Sequence, residues 1–446
     1  MTTYWCELAW LGDLGGKVER GVNITVEHDL ITAVSVGGLP MRGAQRLGGL
    51  TLPGMANAHS HAFHRALRGR THGESGSFWT WRDKVYALAD RLDPETYRDL
   101  ATATFAEMVL AGFTCVGEFH YLHHDRGGVR YAVPNEMGHV LLQAAAAAGI
   151  RITLLDACYL QAGMTDDAVL NDTQRRFDDG GADSWAARAD GLMSTSIAKI
   201  GAAIHSVRSV PPEAMSTVAE WSEVHRAPLH AHVSEQPAEN EQCVAVHGCT
   251  PTELLDRHSV LGERFTAVHA THLTADDIGL LRSSRSTCCM CPTTERDLAD
   301  GIGPTGRFRS AGIAMAIGSD SHAVIDPFEE ARAIELDERL VSLRRGSHRP
   351  GELLAAATVS GYRSLGWHDG GRIAVGALAD LTSVDLTTPR LAGTDFDHAA
   401  AAVVFAAAAS DVHHVVVGGR VVVAGGMHQT IDVTEALDDS IRQAWA

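Results

Sequence analysis

Residues 197–233 read IAKIGAAIHSVRSVPPEAMSTVAEWSEVHRAPLHAHV, and this stretch decides the fold class. An apolar run at residues 197–204 is followed by a helical pattern at 212–226 and by a second apolar run at 228–233. Two short apolar runs separated by a helical pattern are typical of two parallel β-strands joined by a helix. The stretch therefore predicts one β-α-β unit of a parallel sheet.

Outward from this unit, the same alternation continues in both directions along the chain. The expected strands are residues 52–58, 114–119, 150–157, 197–204, 228–233, 265–270, 287–290 and 313–317. Helical patterns lie between them, for example at residues 94–111, 136–148, 212–226 and 274–282. Eight strands that alternate with helices predict an α/β protein with a closed (β/α)8 barrel of the TIM type.

The two chain ends do not follow this rhythm. Residues 1–50 and 371–446 contain short alternating strands, and Gly418-Gly419 between two valine-rich runs predicts a hairpin. We expect the two ends to combine into one small β-sandwich with a closing C-terminal helix. The barrel is then expected at residues 51–370.

The composition excludes several classes of protein. The chain has 446 residues and a formal net charge of −18, whereas a nucleic-acid-binding surface needs clustered lysine and arginine. The most apolar run, residues 399–409, is much shorter than the ~20 residues of a membrane-spanning helix and is expected to be a buried helix. The first residues do not resemble a secretory signal, and eight sparse cysteines suit a reducing compartment. We therefore expect a cytoplasmic protein that binds neither nucleic acid nor membrane; whether it forms a homodimer is left open.

Imidazole and carboxylate side chains recur where the predicted barrel strands end. His59 and His61 follow the first strand, and residues two apart on a strand share one face. Such a pair alone is a weak signal in a chain with 24 histidines. The fifth, sixth and eighth strands, however, end near His232, His269 and Asp320. Because barrel enzymes carry their chemistry at this end of the strands, the recurrence predicts a catalytic metal site.

The residue types indicate a hydrolase. The expected metal ligands are His59, His61, His232 and Asp320. Three imidazoles and one carboxylate leave a coordination position for water, whose pKa the bound ion lowers. Hydrolysis also needs groups that move protons, and we expect Glu235 to carry one to the leaving nitrogen. Asp320 is expected to accept a proton as well, and His269 to stabilise the tetrahedral centre.

These motifs resemble those of the amidohydrolase superfamily, in its mononuclear aminohydrolase branch. The fourth strand ends in His205, without a lysine that could bridge two metal ions, which favours one ion. Within that branch the chain is similar to the N-formimino-L-glutamate deiminases. The matching segments are NAHSHAFHRAL, SFWTWRDKVY, VGEFHYLHH, IHSVRSV, HAHVSEQ, HATHL, CPTTERDLADG and GSDSH, which span residues 57–322.

The resemblance implies hydrolysis of N-formimino-L-glutamate to N-formyl-L-glutamate and ammonia, a step of histidine degradation, with one divalent ion, usually Zn²⁺. It also implies a substrate-binding set, namely His64, Arg82, Tyr121, His205 and Arg208. A dicarboxylate suits two arginines, because each guanidinium can bind one carboxylate through two parallel hydrogen bonds. At position 64 the family more often has glutamine; histidine can also hydrogen-bond to a carboxylate or an imine.

Other interpretations remain open at this point. An aminohydrolase of the same superfamily could act on a ring, such as guanine or an adenosine derivative, and its pocket would favour aromatic and amide groups over paired arginines. A metal-binding barrel without catalysis is a second alternative. Further metal sites are not expected at His120, His123 and His124, nor at the cysteines of residues 288–291, which are expected to end a buried strand.

Overall fold

The structure, a computed structural model, describes residues 1–12, 14–72, 78–165 and 167–446, and only the backbone at residue 78. Ser77, the first residue of the SFWTWRDKVY segment, lies outside the described residues. The strands before the barrel are β1 (Thr2–Trp10), β2 (Val18–Glu27), β3 (Leu30–Ser35) and β4 (Gln45–Pro53). The barrel strands are β5 (Met55–Ser60), β6 (Phe113–His120), β7 (Arg151–Cys158), β8 (Ala198–Ser206), β9 (Leu229–Val233), β10 (Phe265–His269), β11 (Thr287–Met290) and β12 (Ala314–Ile317). The strands after it are β13 (Leu381–Val384), β14 (Val412–Val417), β15 (Arg420–Ala424) and β16 (Met427–His428).

The barrel strands pair in sequence order, from β5 to β12, and all these pairs are parallel. Two backbone hydrogen bonds then join the two edges of this sheet. The Asp320 N–H donates to the His59 carbonyl at 3.0 Å, and the His61 N–H donates to the Asp320 carbonyl at 3.2 Å. The predicted (β/α)8 barrel is therefore confirmed, and the contact that closes it joins predicted metal ligands.

The predicted first barrel strand begins too early. Leu52 and Pro53 belong to β4 in the other sheet, and β5 begins at Met55. Gly54 separates the two strands, and its N–H donates to the Asp380 carbonyl at 2.7 Å. A Cβ atom at Gly54 would lie 2.2 Å from Oγ1 of Thr114, so only glycine allows this close approach. The apolar run continues through Gly54 because the residues before it are buried in the second sheet and the residues after it are buried in the barrel.

The helices alternate with the barrel strands or follow them. The α-helices are α1 (Phe78–Ala89), α2 (Pro94–Leu110), α3 (Glu136–Ala148), α4 (Ala182–Ala189), α5 (Pro212–His225), α6 (Pro237–His247), α7 (Pro251–Arg257), α8 (Ala275–Ser283), α9 (Pro292–Asp297), α10 (Thr305–Ala311), α11 (Pro327–Ser342), α12 (Pro350–Ala355), α13 (Gly361–Ser364), α14 (Ala399–Ala406) and α15 (Val433–Trp445). Short 3-10 turns lie at Ala62–Leu67, Arg126–Gly128, Gln174–Arg176 and Ala409–Asp411, and a π-helical turn lies at Ala356–Ser360. The four helices quoted from the sequence are confirmed to within a residue at each end. Across the described ranges, we find no helix long and apolar enough to cross a membrane.

Both chain ends build the second sheet, in the order β16-β15-β14-β13-β4-β1-β2-β3. All its neighbouring strands are antiparallel except β1 and β4. This sheet encloses a small apolar core of its own, to which Tyr4, Ile24 and Leu381 contribute. The hairpin predicted at Gly418-Gly419 joins β14 to β15. The structure thus confirms that both chain ends combine into one small β domain, which we call the β unit. Its boundaries at residues 50 and 371 stay a prediction.

Candidate active site

Four buried side chains converge where β5, β9 and β12 end. The ligand atoms of His59, His61, His232 and Asp320 all lie within 4.8 Å of one another. Oδ1 of Asp320 is 3.3 Å from Nε2 of both His59 and His61, and Nε2 of His232 is 3.1 Å from Nε2 of His59. This arrangement directs nitrogen lone pairs and a carboxylate at a common point, as metal coordination requires.

The surroundings of these imidazoles suit metal binding. Nδ1 of His61 donates to the Phe119 carbonyl at 3.0 Å, and Nδ1 of His232 donates to the His205 carbonyl at 2.7 Å. A proton on Nδ1 leaves Nε2 free to donate its lone pair to an ion. Burial lowers the pKa of His61 and His232 well below the usual value, which keeps both rings neutral. The donor set and its hydrogen bonds therefore fit a divalent ion.

The backbone turns sharply where these strands end. Ser234, His269 and Asp320 have φ values of 52°, 65° and 40°, in the left-handed region that non-glycine residues rarely adopt. Such a conformation costs on the order of 1–3 kcal/mol per residue and is common at functional sites. The turns bring the residues just beyond the strands back over the mouth of the barrel.

Glu235 and His269 form a second titratable group beside the four ligands. Nε2 of His269 is 3.7 Å from Oε1 of Glu235 and 3.9 Å from Oδ2 of Asp320. On its other side, Nδ1 of His269 lies 3.4 Å from Oε1 of Glu295, which also accepts the Cys291 N–H at 2.8 Å. Burial raises the pKa of Glu235 to about 7. Burial alone would lower the pKa of His269, but the neighbouring carboxylates raise it well above its usual value.

A cavity of about 430 Å³ opens over this group. Except for His59, every sequence-predicted site residue lines the cavity, and His59 lies in the ligand group beside it. Further lining residues come from α1, α6 and the segment after β7, and include Trp79, Trp81, Tyr86, Tyr159, Met164, Phe177, Gln242 and Val246. The structure thus brings the predicted residues together; their individual roles stay a prediction.

Two arginines supply positive charge to the cavity. The Arg82 guanidinium lies 4.4 Å from the Trp79 ring centroid and 5.4 Å from that of Tyr86, so part of the aromatic surface holds the arginine. Arg208 follows β8, and its Nη2 is 3.9 Å from Oε2 of Glu235 while its Nε is 3.8 Å from Oε2 of Glu239. Both guanidinium groups are therefore oriented by neighbours inside the cavity wall.

The remaining predicted substrate contacts, His64, Tyr121 and His205, pack against one another in the cavity wall. Nε2 of His64 is 2.9 Å from the Tyr121 hydroxyl. The His205 ring packs edge-on against Tyr121 and Tyr159, with centroid distances of 5.3 and 4.8 Å. Burial lowers the pKa of His64 to about 3, and that of His205 well below its usual value. Both rings are therefore neutral hydrogen-bonding groups.

Structural hydrogen bonds occupy the histidine cluster at residues 120–124. His123 donates from Nε2 to the Ala157 carbonyl at 2.8 Å, and its Nδ1 is 3.3 Å from Nε2 of His120. The nearby carboxylate, Asp156, pairs with Arg188 at 2.7 Å. This pairing leaves that group without a free negative charge for a cation.

Several residues of the site carry no role in the sequence-based assignment. Glu295 and Asp300 stand in the segment CPTTERDLADG, and Tyr86 stands in SFWTWRDKVY, so their presence in matching segments was an available signal. Tyr159 follows β7 in no recognisable motif. Glu118, next to the histidine cluster in sequence, accepts hydrogen bonds from the Ser60 hydroxyl and the Ala62 N–H, each at 2.7 Å.

Comparison with known proteins gives consistent matches. The model of the amidohydrolase family matches residues 50–422. The formimidoylglutamate deiminase of Pseudomonas aeruginosa is 36% identical over 391 residues, which cover 85% of each chain. The 8-oxoguanine deaminase of the same species is 28% identical over 359 residues, covering 77% of this chain and 76% of its own. A crystal structure of an amidohydrolase from Brucella melitensis superposes with a TM-score of 0.92 at 32% identity and covers 100% of both chains.

Proposed function

Because the chain belongs to the amidohydrolase family and is a hydrolase acting on carbon–nitrogen bonds, we propose that it converts N-formimino-L-glutamate to N-formyl-L-glutamate and ammonia. One observation carries this choice of substrate: Arg82 and Arg208 line the same cavity as the ligand group and Glu235. Two guanidinium groups match the two carboxylates of this substrate. The similarity to a formimidoylglutamate deiminase supports the same choice.

His59, His61, His232 and Asp320 are proposed to hold one divalent ion, and Zn²⁺ suits three imidazoles with one carboxylate. When bound, the ion would lower the pKa of a water molecule toward neutrality and polarise the reacting group.

The protein's own groups would then move the protons. Glu235, whose pKa burial raises to about 7, is suited both to accept a proton from water and to deliver it to the leaving nitrogen. Asp320 is proposed to accept a proton as well as to bind the ion. His269, held between Glu235 and Glu295, is placed to stabilise the tetrahedral centre by hydrogen bonding.

Substrate contacts are proposed for His64, Arg82, Tyr121, His205 and Arg208. Arg82 and Arg208 would bind the two carboxylates, and the neutral His205 ring and Tyr121 hydroxyl would add hydrogen bonds. His64 would act indirectly, by a hydrogen bond with the Tyr121 hydroxyl, which lies 2.9 Å from its Nε2.

A ring aminohydrolase is the second candidate, because the cavity wall also contains Trp79, Trp81, Tyr86 and Tyr159. Aromatic rings of this kind can stack on a heterocycle. The similarity to an 8-oxoguanine deaminase is in line with it. Part of this aromatic surface packs on Arg82, however, and is thereby used to orient a charged group.

Ammonia release distinguishes the two candidates. We expect the zinc-loaded protein to hydrolyse N-formimino-L-glutamate much faster than N-formiminoglycine, which has one carboxylate, and to leave 8-oxoguanine unchanged. Arg208→Met keeps the length of the side chain and removes its charge, so it should raise KM for the dicarboxylate by tenfold or more. This corresponds to the loss of one charge-assisted contact, which contributes about 1.5–3 kcal/mol. Equal rates on the two formimino compounds, or turnover of the ring alone, would contradict the proposal.

A further inference from the structure

Two polar atoms beside Glu235 are buried without a hydrogen-bond partner. Within the described residues, Oδ2 of Asp300 and Nε2 of His269 accept or donate no hydrogen bond. The two residues are 2% and 0% exposed. An unsatisfied buried carboxylate oxygen is costly, and its presence in a native protein calls for a ligand, water or ion at that place.

The side chains of Asp300 and His269 belong to one compact group with Glu235. A carboxylate oxygen of Glu235, a ring nitrogen of His269 and a carboxylate oxygen of Asp300 all lie within 4.8 Å of one another. No hydrogen bond joins Oδ2 of Asp300 or Nε2 of His269 to a neighbouring described group, and atoms up to 4.8 Å apart can share one small polar atom at about 2.7–3.2 Å from each. Glu235 and His269 also line the cavity, so this space adjoins the ligand group.

Asp300 is held rigidly in this position. Its N–H donates to the Glu295 carbonyl at 2.9 Å, and His272 donates from Nε2 to the Asp300 carbonyl at 2.7 Å. Oδ1 of Asp300 accepts a hydrogen bond from Nε2 of Gln236. These hydrogen bonds fix the orientation of the carboxyl group, and its other oxygen, Oδ2, is buried.

The charge of the group favours a cation. Asp320 and Glu295 add carboxylates on two further sides of His269, at 3.9 and 3.4 Å. Burial and the neighbouring Glu235 raise the pKa of Asp300 to about 9, so the ionised form of this carboxyl group needs a positive charge beside it at neutral pH. A positively charged nitrogen bound next to Asp300 would stabilise its ionised form.

The proposed substrate supplies such a nitrogen. A formimino group is an amidine, a stronger base than a simple amine, and carries a positive charge at neutral pH. The amino groups released by ring deaminases belong to neutral heterocycles. An additional carboxylate at Asp300 would therefore favour a cationic reacting group over a neutral one.

We propose that Glu235, His269 and Asp300 form a subsite for the leaving nitrogen of the cationic formimino group, in which Asp300 supplies the second negative charge. This inference rests on the proposed function and extends it to the reacting end of the substrate. After water has added to the formimino carbon, the bond from that carbon to the terminal nitrogen breaks. The electron pair of that bond goes to nitrogen together with a proton delivered by Glu235, so ammonia departs. The added hydroxyl group gives its proton to Asp320 as the C=O bond of the formyl group forms. Asp300 accepts a hydrogen bond from that nitrogen throughout.

A matched pair of unreactive analogues tests the charge preference. N-carbamimidoyl-L-glutamate carries a cationic guanidinium, and N-carbamoyl-L-glutamate is a neutral urea of the same shape with the same two carboxylates. Calorimetric titration of the zinc-loaded protein should show tighter binding of the cation. Asp300→Asn keeps the acceptor for Gln236, and should lose about tenfold or more in affinity for the cationic analogue while binding the neutral one unchanged. Its KM for N-formimino-L-glutamate should rise and its kcat fall, with an unchanged melting temperature.

Asp297→Asn is the control, because Asp297 lies three residues away and pairs at the surface with His72. It should bind both analogues as the natural protein does. A cation preference that survives in Asp300→Asn would overturn the inference, and so would a second Zn²⁺ ion per chain that Asp300→Asn eliminates. Failure of both analogues to bind the natural protein would instead contradict the proposed dicarboxylate pocket.

Discussion

At the residue scale, His64 is the cavity residue at which the family resemblance leads us to expect glutamine instead. Its ring is neutral, because burial lowers its pKa to about 3, and its Nε2 lies 2.9 Å from the Tyr121 hydroxyl. A neutral amide can make the same contact, so we expect His64→Gln to keep kcat/KM for N-formimino-L-glutamate within about threefold. His64→Ala should raise KM about fivefold, since a neutral hydrogen bond contributes about 1 kcal/mol. Steady-state kinetics of both variants test this; a tenfold loss in His64→Gln would contradict it.

Two His-x-His pairs show how far residue spacing predicts function. His59 and His61 both join the ligand group, whereas in the pair on β9 only His232 does. Nε2 of His230 bonds to the Ser364 carbonyl at 2.9 Å, deeper in the barrel. Residues two apart on a strand are about 6.6 Å apart along it, and two imidazoles on one face can reach a single ion, so the spacing alone does not separate the two pairs. The pairs differ in their position: His59 and His61 lie at the end of β5 and just beyond it, whereas His230 lies near the start of β9.

At the element scale, Glu118 on β6 fixes the end of β5. Its carboxylate binds the Ser60 hydroxyl and the Ala62 N–H, on both sides of His61. Glu118→Ala removes both contacts, and we expect it to weaken Zn²⁺ binding by about 10- to 100-fold. Glu118→Gln keeps an oxygen for the Ala62 N–H and should lose much less. Competition with a chromophoric chelator measures both affinities, and equal affinities of Glu118→Ala and the natural protein would contradict this role.

Helix α4 is joined to β7 by a buried ion-pair network with a pH-dependent contribution. Arg188 pairs with Asp156 at 2.7 Å and with Asp179 at 2.8 Å. Burial alone would raise the pKa of Asp179, but hydrogen bonds from His124 and Arg188 hold it well below its usual value. Its stabilisation is therefore fully present above the unfolded pKa of about 3.9 and is lost progressively as the pH falls toward the folded pKa.

We accordingly expect Asp179→Asn to lower the free energy of unfolding at pH 7 by about 3–5 kcal/mol, because Arg188 loses one buried partner. The difference from the natural protein should shrink as the pH is lowered from 5 to 3. Urea unfolding at several pH values measures it. A difference that stays constant with pH would show that Asp179 is not ionised in the folded protein.

At the scale of the whole molecule, one buried ion pair joins the barrel to the second sheet. Nε of Arg151, at the start of β7, is 2.8 Å from Oδ2 of Asp380, which precedes β13. Asp380 also accepts hydrogen bonds from the Tyr362 hydroxyl and the Gly418 N–H, each at 2.7 Å. Its carboxylate thus connects β7, α13 and the β14–β15 hairpin.

Asp380→Ala should lower the free energy of unfolding by about 3–5 kcal/mol, because it leaves the Arg151 guanidinium buried without its partner. The double variant with Arg151→Met should recover part of that loss, since no unpaired charge then remains. Metal content per folded chain should not change in either variant. Thermal and urea unfolding provide the measurement, and a loss below about 1 kcal/mol in Asp380→Ala would mean that the pair does not couple the two units.

The sequence by itself determined the barrel, the β unit from both chain ends and the residue types of the site. Apolar periodicity and strand-end motifs are local properties, and they place His59, His232 and Asp320 at strand ends without knowledge of their contacts. Where the chain passes from one sheet to another inside one apolar run, as at Gly54, the sequence does not show the boundary between the strands, because the residues on both sides of it are equally buried.

Only the tertiary structure decided which of these side chains meet. The meeting of Asp320 with His59 and His61 depends on the closure of the barrel, the orientation of Arg208 on Glu239, and the role inferred for Asp300 on one buried oxygen without a hydrogen-bond partner. These contacts join residues from different strands and loops, at distances that barrel closure sets. Side-chain convergence of this kind has no periodic trace in the sequence, because it depends on register and packing between segments far apart in the chain.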